Sequence, residues 1–223
     1  MKKILLYFIT VSFVFVSCIT KDIPGDESGL LEINPITIDT GVEVSPLSRT
    51  VDDRLQVDIY SASTIVKTFK PGDIALDSPI KLPVGNYKLI AHSPDMAEAE
   101  NNVVGIPLYS VSNDFIIEKE QTTTISSLIA TQSNVGVAVS LANELFNIAF
   151  KSIECVVFSS SGRSVVIDAK QQSHSKVYFN VSEGTVISYQ INSMNNDGES
   201  FSSEIEQLPL GDGIKDYTIT ITF

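Results

Sequence analysis

Hydrophobic and polar residues alternate with a period of two along most of the chain. Near the C-terminal end, for example, Tyr217, Ile219 and Ile221 alternate with threonines. Turns that contain glycine or proline, such as 71–73, separate these runs, which are rich in valine, isoleucine and threonine. Short half-buried strands with turns between them are typical of β-sandwiches and barrels. Because the only helical candidate is 142–149, the pattern predicts an all-β fold.

The predicted strands fall into two sets with the same order and spacing. The first set is 30–38, 55–62, 64–70, 85–93 and 122–130, and the second is 135–140, 153–160, 164–169, 186–194 and 216–223. The segments 54–63 and 152–161 align with each other, although their identity is poor. We therefore predict two consecutive sandwich domains, 30–133 and 134–223. Domains of about 100 residues are long enough to bury their own cores.

The first 17 residues have the organisation of a secretory signal peptide. Two lysines precede an apolar run over 4–16, which is too short for a membrane span of about 20 residues. The run ends in Phe-Val-Ser-Cys at 15–18, which resembles a bacterial lipobox, although Phe15 replaces the usual leucine. The resemblance implies cleavage before Cys18 and lipidation of Cys18. The alternative is an ordinary signal peptide whose cleavage site lies near a cysteine. The polar segment 18–29 is predicted to be a flexible tether.

The composition excludes several classes of function. The chain has 15 Lys and Arg against 27 Asp and Glu, and loss of the signal peptide would take its net charge from −12 to −14. A nucleic-acid-binding protein normally has a basic surface, so we expect no nucleic-acid partner. Two cysteines and two histidines are too few for a disulfide scaffold or a Cys/His metal cluster. We therefore expect no metal site and no cofactor.

Two histidines and one cysteine are the remaining candidates for catalysis. His92 ends an alternating strand and His174 lies in a polar loop, and neither accompanies a Gly-x-Ser-x-Gly motif or another nucleophile signature. Cys155 lies within a predicted strand, where a small buried hydrophobic role is favoured over a reactive thiol. The sequence therefore predicts no catalytic residues and a protein that is not an enzyme.

Two oxygen-rich segments and a tyrosine leave binding roles open. The segments 95–102 and 195–199 carry carboxylates and amides that suit Ca²⁺, but both lack the twelve-residue calcium-loop pattern. Turns or solvated loops are therefore favoured at both places. Tyr109 falls in or beside a predicted strand, and two positions are open for it: in the core, or at an exposed turn where a sugar ring could stack on it. Nothing else in the sequence indicates a sugar site.

Four motifs are shared in order and spacing with a known family, and they lie at 83–93, 107–117, 122–125 and 134–139. They resemble an uncharacterised lipoprotein domain family of Gram-negative gut anaerobes that is related to fimbrillins. The chain departs from that family at Val111, where glycine is frequent, and at Ala130, where cysteine is frequent. The resemblance, which spans roughly 29–157, implies a transthyretin-like (fimbrillin-like) β-sandwich on a surface lipoprotein. It implies no activity, because the family has none established; the related fimbrillins are pilus subunits, anchors or tip adhesins.

The same resemblance makes Arg49 a candidate site of proteolytic processing. Related fimbrillins polymerise after a protease cuts behind an arginine in the connection that follows the first strand, and a strand from another subunit fills the opened groove. Arg49 lies in the corresponding connection of this chain, and the strand 216–223 has the alternation that a donor strand needs. Two alternatives remain: Arg49 is an ordinary loop residue, and the last strand completes its own sandwich.

The sequence therefore predicts a non-enzymatic, lipid-anchored outer-membrane protein that is exposed on the cell surface. Its expected role is adhesion or fimbria-like assembly. The expected partners are the membrane, through the N-terminal lipid, and other fimbrial subunits or a host or glycan surface. The alternative is a glycan-binding accessory lipoprotein of an outer-membrane uptake system, which loss of binding in Tyr109→Ala would favour.

Overall fold

A computed structural model describes residues 27–39, 52, 54–73, 78–171, 176–211, 213 and 215–222. The fold of these residues is nearly all β, which confirms the predicted fold class. The single helix among them, α1 (Phe146–Ala149), is shorter than the predicted 142–149. No helix within this part of the chain is long and apolar enough to cross a membrane.

The first half of the chain forms a β-sandwich. Its strands are β1 (Ser28–Ile33), β2 (Ile36–Ile38), β3 (Gln56–Ser61), β4 (Thr64–Phe69), β5 (Ile80–Pro83), β6 (Gly85–His92), β7 (Tyr109–Ile117), β8 (Thr122–Ile125) and β9 (Leu128–Gln132). They make a small sheet, ordered β5-β1-β8, and a large sheet, ordered β2-β9-β7-β6-β3-β4. Alternate residues such as Leu31, Ile59 and Leu89 point inward from both sheets and are fully buried in a shared core. This unit is called the first sandwich.

The predicted strand over 30–38 is divided in the structure, because the chain changes sheets at Asn34 and Pro35. β1 lies in the small sheet, antiparallel to β5 and parallel to β8, whereas β2 is an edge of the large sheet. Pro35 has no N–H for a continuous ladder, and its carbonyl accepts the N–H of Leu128 at 3.1 Å. The predicted strand over 122–130 divides in the same way into β8 and β9.

The second half of the chain repeats this plan. Its strands are β10 (Val135–Leu141), β11 (Phe150–Ser159), β12 (Ser164–Asp168), β13 (Val177–Phe179), β14 (Ile187–Asn195), β15 (Ser200–Ser202), β16 (Glu206–Gln207) and β17 (Asp216–Ile221). β10 lies antiparallel to β13 and parallel to β17, as β1 does to β5 and β8. β11 lies between β12 and β14, as β3 lies between β4 and β6. The aligned segments 54–63 and 152–161 therefore occupy equivalent places in the two sandwiches.

The second sandwich has its own core, which includes Val137, Cys155, Phe179 and Ile187. The last strand, β17, pairs with β10 and buries the side chains of Ile219 and Ile221. Of the two roles considered for this strand, it therefore completes its own sandwich. The exact boundary between the two domains, placed near residue 133, remains a prediction.

Candidate functional site

The connection between β6 and β7 crosses from the first sandwich to the second. This connection, residues 93–108, is called the junction segment. The N–H of Asn102 donates to Ser164 O at 3.0 Å, and the side-chain oxygen of Asn102 accepts the N–H of Val166 at 3.2 Å. The N–H of Tyr178 donates to Val104 O at 2.9 Å. The segment therefore lies alongside the edge strand β12 and alongside β13, and forms hydrogen bonds with both.

Glu98 fastens the same segment through its carboxylate. Its Oε1 accepts the N–H of Asn180 at 3.0 Å, and its Oε2 accepts the Ser161 hydroxyl at 3.0 Å. The side-chain oxygen of Asn101 accepts the N–H of Ser164 at 2.9 Å. The favoured interpretation of 95–102 as a turn or solvated loop agrees with the exposed turn at Asn101 and Asn102, but it did not include bonds to the second sandwich. The oxygens of Glu98 and Asn101 bind the second sandwich, because the folded chain brings its backbone N–H groups opposite them.

Arg163, a residue of the second sandwich, binds the junction segment through its guanidinium. Its side chain is buried, and its guanidinium donates to the carbonyls of Val103 and Tyr178. The guanidinium carbon lies 4.4 Å from the centre of the Phe179 ring, within the range of a cation–π contact. Burial lowers the pKa of Arg163, and the nearby charge of Glu98 partly opposes that shift. One arginine thus joins the junction segment to the core edge of the second sandwich.

An open cleft of about 410 Å³ lies beside the start of the junction segment. Its walls are formed by Ile38, Pro94, Ile106, Pro107 and Tyr109. Tyr109 is the first residue of β7 and is half-buried against the core of the first sandwich, so of its two expected positions the structure favours the core over an exposed turn. Its N–H donates to the Ser93 hydroxyl at 3.0 Å, and its carbonyl accepts the Ser93 N–H at 2.9 Å. These bonds hold the tyrosine at the wall of the cleft.

The charged residues that line the cleft are Arg54 and Asp95, and both are exposed to solvent. Arg54 donates from Nε and Nη2 to the two carboxylate oxygens of Asp52, at 2.9 and 2.8 Å. The hydrogen bonds from Arg54 hold the pKa of Asp52 below its ordinary value, against the opposing effect of burial. Asp95 accepts the N–H of Ala97 with Oδ1 at 2.9 Å. The cleft thus combines apolar walls with fixed donors and acceptors.

His92 belongs to a polar network on the large sheet of the first sandwich. Its Nε2 lies 3.0 Å from Oδ2 of Asp58, and its Nδ1 lies 2.7 Å from the carbonyl oxygen of Ser93. Asp58 is almost fully buried and also accepts bonds from Thr68 and Gln56. Since both ring nitrogens lie against oxygens of the protein itself, neither is directed at a substrate. This geometry agrees with the structural role favoured for His92.

Cys155 points into the core of the second sandwich and is fully buried. Burial raises the pKa of its thiol to about 12, so the nucleophilic thiolate is scarce at neutral pH. The sequence-based interpretation as a small buried hydrophobe is consistent with this position. The segment 195–199 forms the hairpin turn between β14 and β15, in which Asn195 accepts the N–H groups of Asp197 and Glu199. In the part of the chain that the structure describes, no three His, Cys, Asp or Glu side chains form a group that could hold a metal ion.

Three candidates from the sequence, Cys18, Arg49 and His174, lie outside the described residues. The residues that sequence reasoning missed are Arg163, at the junction, and Asp58, in the polar network of the first sandwich. A weak signal existed for each of them. Arg163 is one of only three arginines in the chain, and Asp58 interrupts a run of residues otherwise suited to a buried strand. Neither signal names a partner, because the partners lie far away in the sequence.

Comparison with solved structures finds matches over most of the chain at low identity. A proposed adhesin from Bacteroides ovatus shares 14% identity, with 81% of this chain and 82% of that chain covered and a TM-score of 0.41. Proposed polysaccharide-binding proteins (DUF1812) from Bacteroides thetaiotaomicron share 10%, with 78% of each chain covered and a TM-score of 0.36. A proposed cell adhesion protein from Bacteroides ovatus shares 9%, with 86% and 91% covered and a TM-score of 0.36.

A likeness at these identities and scores carries no argument about function. No curated protein matches the chain. A family model, by contrast, matches residues 27–223, which include both sandwiches and the junction segment between them. The matched length treats the two sandwiches as one unit, in keeping with the hydrogen bonds that join them. The chain therefore belongs to the family described as a domain of unknown function, DUF4493.

Proposed function

We propose that this protein is a non-enzymatic, lipid-anchored outer-membrane protein that acts at the cell surface in adhesion or fimbria-like assembly. The observation that carries the proposal is the lipobox-like tetrapeptide at 15–18, directly after an apolar run of signal-peptide length. The lipid on Cys18 would hold the chain at the membrane, since several acyl chains give a stable anchor. The two sandwiches would then form the body that faces outward.

The non-enzymatic part of the proposal is supported by the state of the reactive side chains. His92 presents both ring nitrogens to acceptors, and the thiol of Cys155 lies in a core. General-base or nucleophilic catalysis needs an accessible lone pair on such a group. Asp58, the one buried carboxylate beside His92, is already engaged by three donors. These groups therefore serve the fold.

The direction of the strands supports an outward position for the second sandwich. Ser28 at the start of β1 lies opposite Pro83, next to the first residues of β6. The junction segment leaves from the other end of β6, after His92. Residue 28 therefore lies at the end of the first sandwich that is remote from the junction. The second sandwich would be held away from the membrane by the junction segment.

Assembly by strand exchange is supported by the position of β1. The strand lies in the middle of the small sheet, between β5 and β8, and buries Leu31 and Ile33 in the core. A cut after Arg49 would release β1 and β2 from the rest of the first sandwich. The gap between β5 and β8 would then offer ladder hydrogen bonds and apolar pockets to a strand from another subunit. The donor would have to be a segment other than β17, which is paired with β10.

The proposal is tested by recovering the protein from the envelope of its own cells. An affinity tag inserted at Gly198, in the exposed turn between β14 and β15, leaves both sandwich cores and the N-terminal region unchanged. We expect the tag to be accessible to antibody on intact cells, and we expect pilin-like subunits or a surface ligand to co-purify. A tag that antibody reaches only after the outer membrane is opened would contradict the surface role. Co-purification with an outer-membrane transporter would favour the glycan-uptake alternative.

A further inference from the structure

We propose that the cleft beside Tyr109 is a binding site for a neutral pyranose sugar. The inference rests on the non-enzymatic binding role proposed above and names the ligand class and the place where it binds. The cleft volume of about 410 Å³ falls within the range of small-molecule sites, which are roughly 300 to 1,000 Å³. The cleft lies on the first sandwich and is bordered by the start and the end of the junction segment.

The walls of the cleft suit the apolar faces of a sugar ring. Pro94, Ile106 and Pro107 offer rigid or branched hydrocarbon surface, and Tyr109 adds an aromatic ring. A pyranose has a face of C–H groups that packs against such a ring, while its hydroxyls point outward. The backbone of Tyr109 is held in place by two hydrogen bonds to Ser93. Little backbone entropy is therefore lost at this position when a ligand binds.

The mouth of the cleft suits neutral hydroxyl groups. Asp95 carries carboxylate acceptors, to which a sugar hydroxyl can donate. Arg54 is balanced by Asp52 at 2.8 Å, so this side of the mouth carries no excess positive charge. The whole chain has a net charge of −12. An anionic ligand would therefore be repelled, whereas a neutral one would not.

The position of the cleft agrees with a role in attachment. It lies on residues of β2, β7 and both ends of the junction segment. The junction segment is bound to the second sandwich through Glu98 and Arg163, so a ligand in the cleft would contact a segment that both sandwiches hold in place.

The test begins with the purified mature chain on an array of neutral and acidic oligosaccharides, followed by calorimetric titration with the best neutral binder. We expect Tyr109→Ala to weaken binding roughly tenfold, because an aromatic contact is lost, and Tyr109→Phe to retain most of it. Ile106→Asp should also abolish binding, since it places a carboxylate on the apolar wall. Ile106 is 63% exposed, so this variant is expected to fold normally.

The control is Phe201→Ala, which removes an exposed aromatic ring of the second sandwich that does not line the cleft. It should bind the neutral sugar as the wild type does. Binding of acidic glycans or peptides alone, no binding of any neutral glycan, or binding that Tyr109→Ala and Ile106→Asp leave unchanged would each overturn the inference. The proposed surface role would survive those results, since it is tested separately by the exposure and partners of the tagged protein on cells.

Discussion

His92 and Asp58 form a hydrogen-bonded pair in which the imidazole Nε2 lies 3.0 Å from the carboxylate Oδ2. The other ring nitrogen lies 2.7 Å from the carbonyl oxygen of Ser93. Each ring nitrogen therefore faces an oxygen that can accept a hydrogen bond. The pair links the large sheet of the first sandwich to the beginning of the junction segment, which starts at Ser93.

The variant Asp58→Asn should destabilise the protein by about 2–4 kcal/mol, because it leaves buried donors without their anionic acceptor. Asp58 is only 3% exposed and accepts from Thr68, Gln56 and His92. The free energy of unfolding in urea at neutral pH measures the effect. Asp114→Asn is the control, since Asp114 is exposed on the same sheet. Equal losses in the two variants would contradict a structural role for the pair.

The free energy of unfolding should also fall at acidic pH, because the Asp58 carboxylate becomes protonated there. Burial alone would raise the pKa of Asp58, but the hydrogen bonds from Thr68, His92 and Gln56 outweigh it, and the pKa lies below the ordinary 3.8. The unfolded chain therefore takes up this proton first as the pH falls. The contribution of Asp58 is present above about pH 4 and is lost below it. Unfolding curves from pH 6 to pH 2.5 should show the wild type and Asp58→Asn converging; a constant difference would contradict this assignment.

The junction segment should loosen in Arg163→Lys. A lysine cannot donate in two directions from a planar fork, so the carbonyls of Val103 and Tyr178 would lose a shared donor. We expect a loss of about 1–3 kcal/mol and faster amide hydrogen exchange over 98–104. Lys151→Arg, a change at an exposed site in β11, serves as the control. If amide exchange over 98–104 were unchanged in Arg163→Lys, Arg163 would not be needed to hold the junction segment, and the prediction would be wrong.

Gly29 should tolerate no side chain. A Cβ at this position would lie 2.3 Å from Glu118 O and 2.8 Å from Gln121 O, both backbone atoms beside β8. Gly29→Ala should therefore push β1 away from β8 and cost about 2 kcal/mol or more. Gly85→Ala is the matched control, since its Cβ would meet nothing nearer than the Tyr87 ring at 3.5 Å. The midpoint of thermal unfolding, measured for both variants, tests the prediction. Similar midpoints would contradict the close contact between Gly29 and the backbone beside β8.

Cleavage after Arg49 tests the assembly hypothesis. An arginine-specific protease should cut the folded protein at Arg49–Thr50, since Arg163 is buried and Arg54 forms a fork with Asp52. Release of β1 and β2 would remove Leu31 and Ile36 from the core of the first sandwich, and the clipped protein should form ladders of subunits. Arg49→Lys should resist the protease. A clipped protein that stays monomeric, or resistance of the wild type, would leave only the surface role.

The alternation of residues was enough to predict most strands and the repeat of the two halves. The period-two pattern alone predicts that residues such as Val57, Ile59, Leu89 and Ala91 are buried, and the structure buries them. The pattern did not predict that the chain changes sheets at Pro35, because each half of the run still alternates. The register between sheets depends on distant partners that a local pattern does not contain.

The contacts of the junction segment were the part that sequence reasoning did not predict. Glu98, Asn101 and Asn102 are polar residues without periodicity, and that composition is typical of solvated loops. Their partners, Ser161, Ser164 and Asn180, lie at least 60 residues away in the chain. Only the folded arrangement shows that these polar groups face each other. The same holds for the cleft, since Ile38, Arg54 and Tyr109 come from separate strands and connections.

The central claim, a lipid-anchored surface protein, is tested most directly by metabolic labelling with palmitate in the native host. We expect the wild type to incorporate label and to sediment with the outer membrane, because its acyl chains would lie in the bilayer. Cys18→Ala should lose the label and leave the membrane fraction. Cys155→Ala, which changes the buried cysteine, should keep both. A wild type that takes up no palmitate, or a label that survives in Cys18→Ala, would contradict the account.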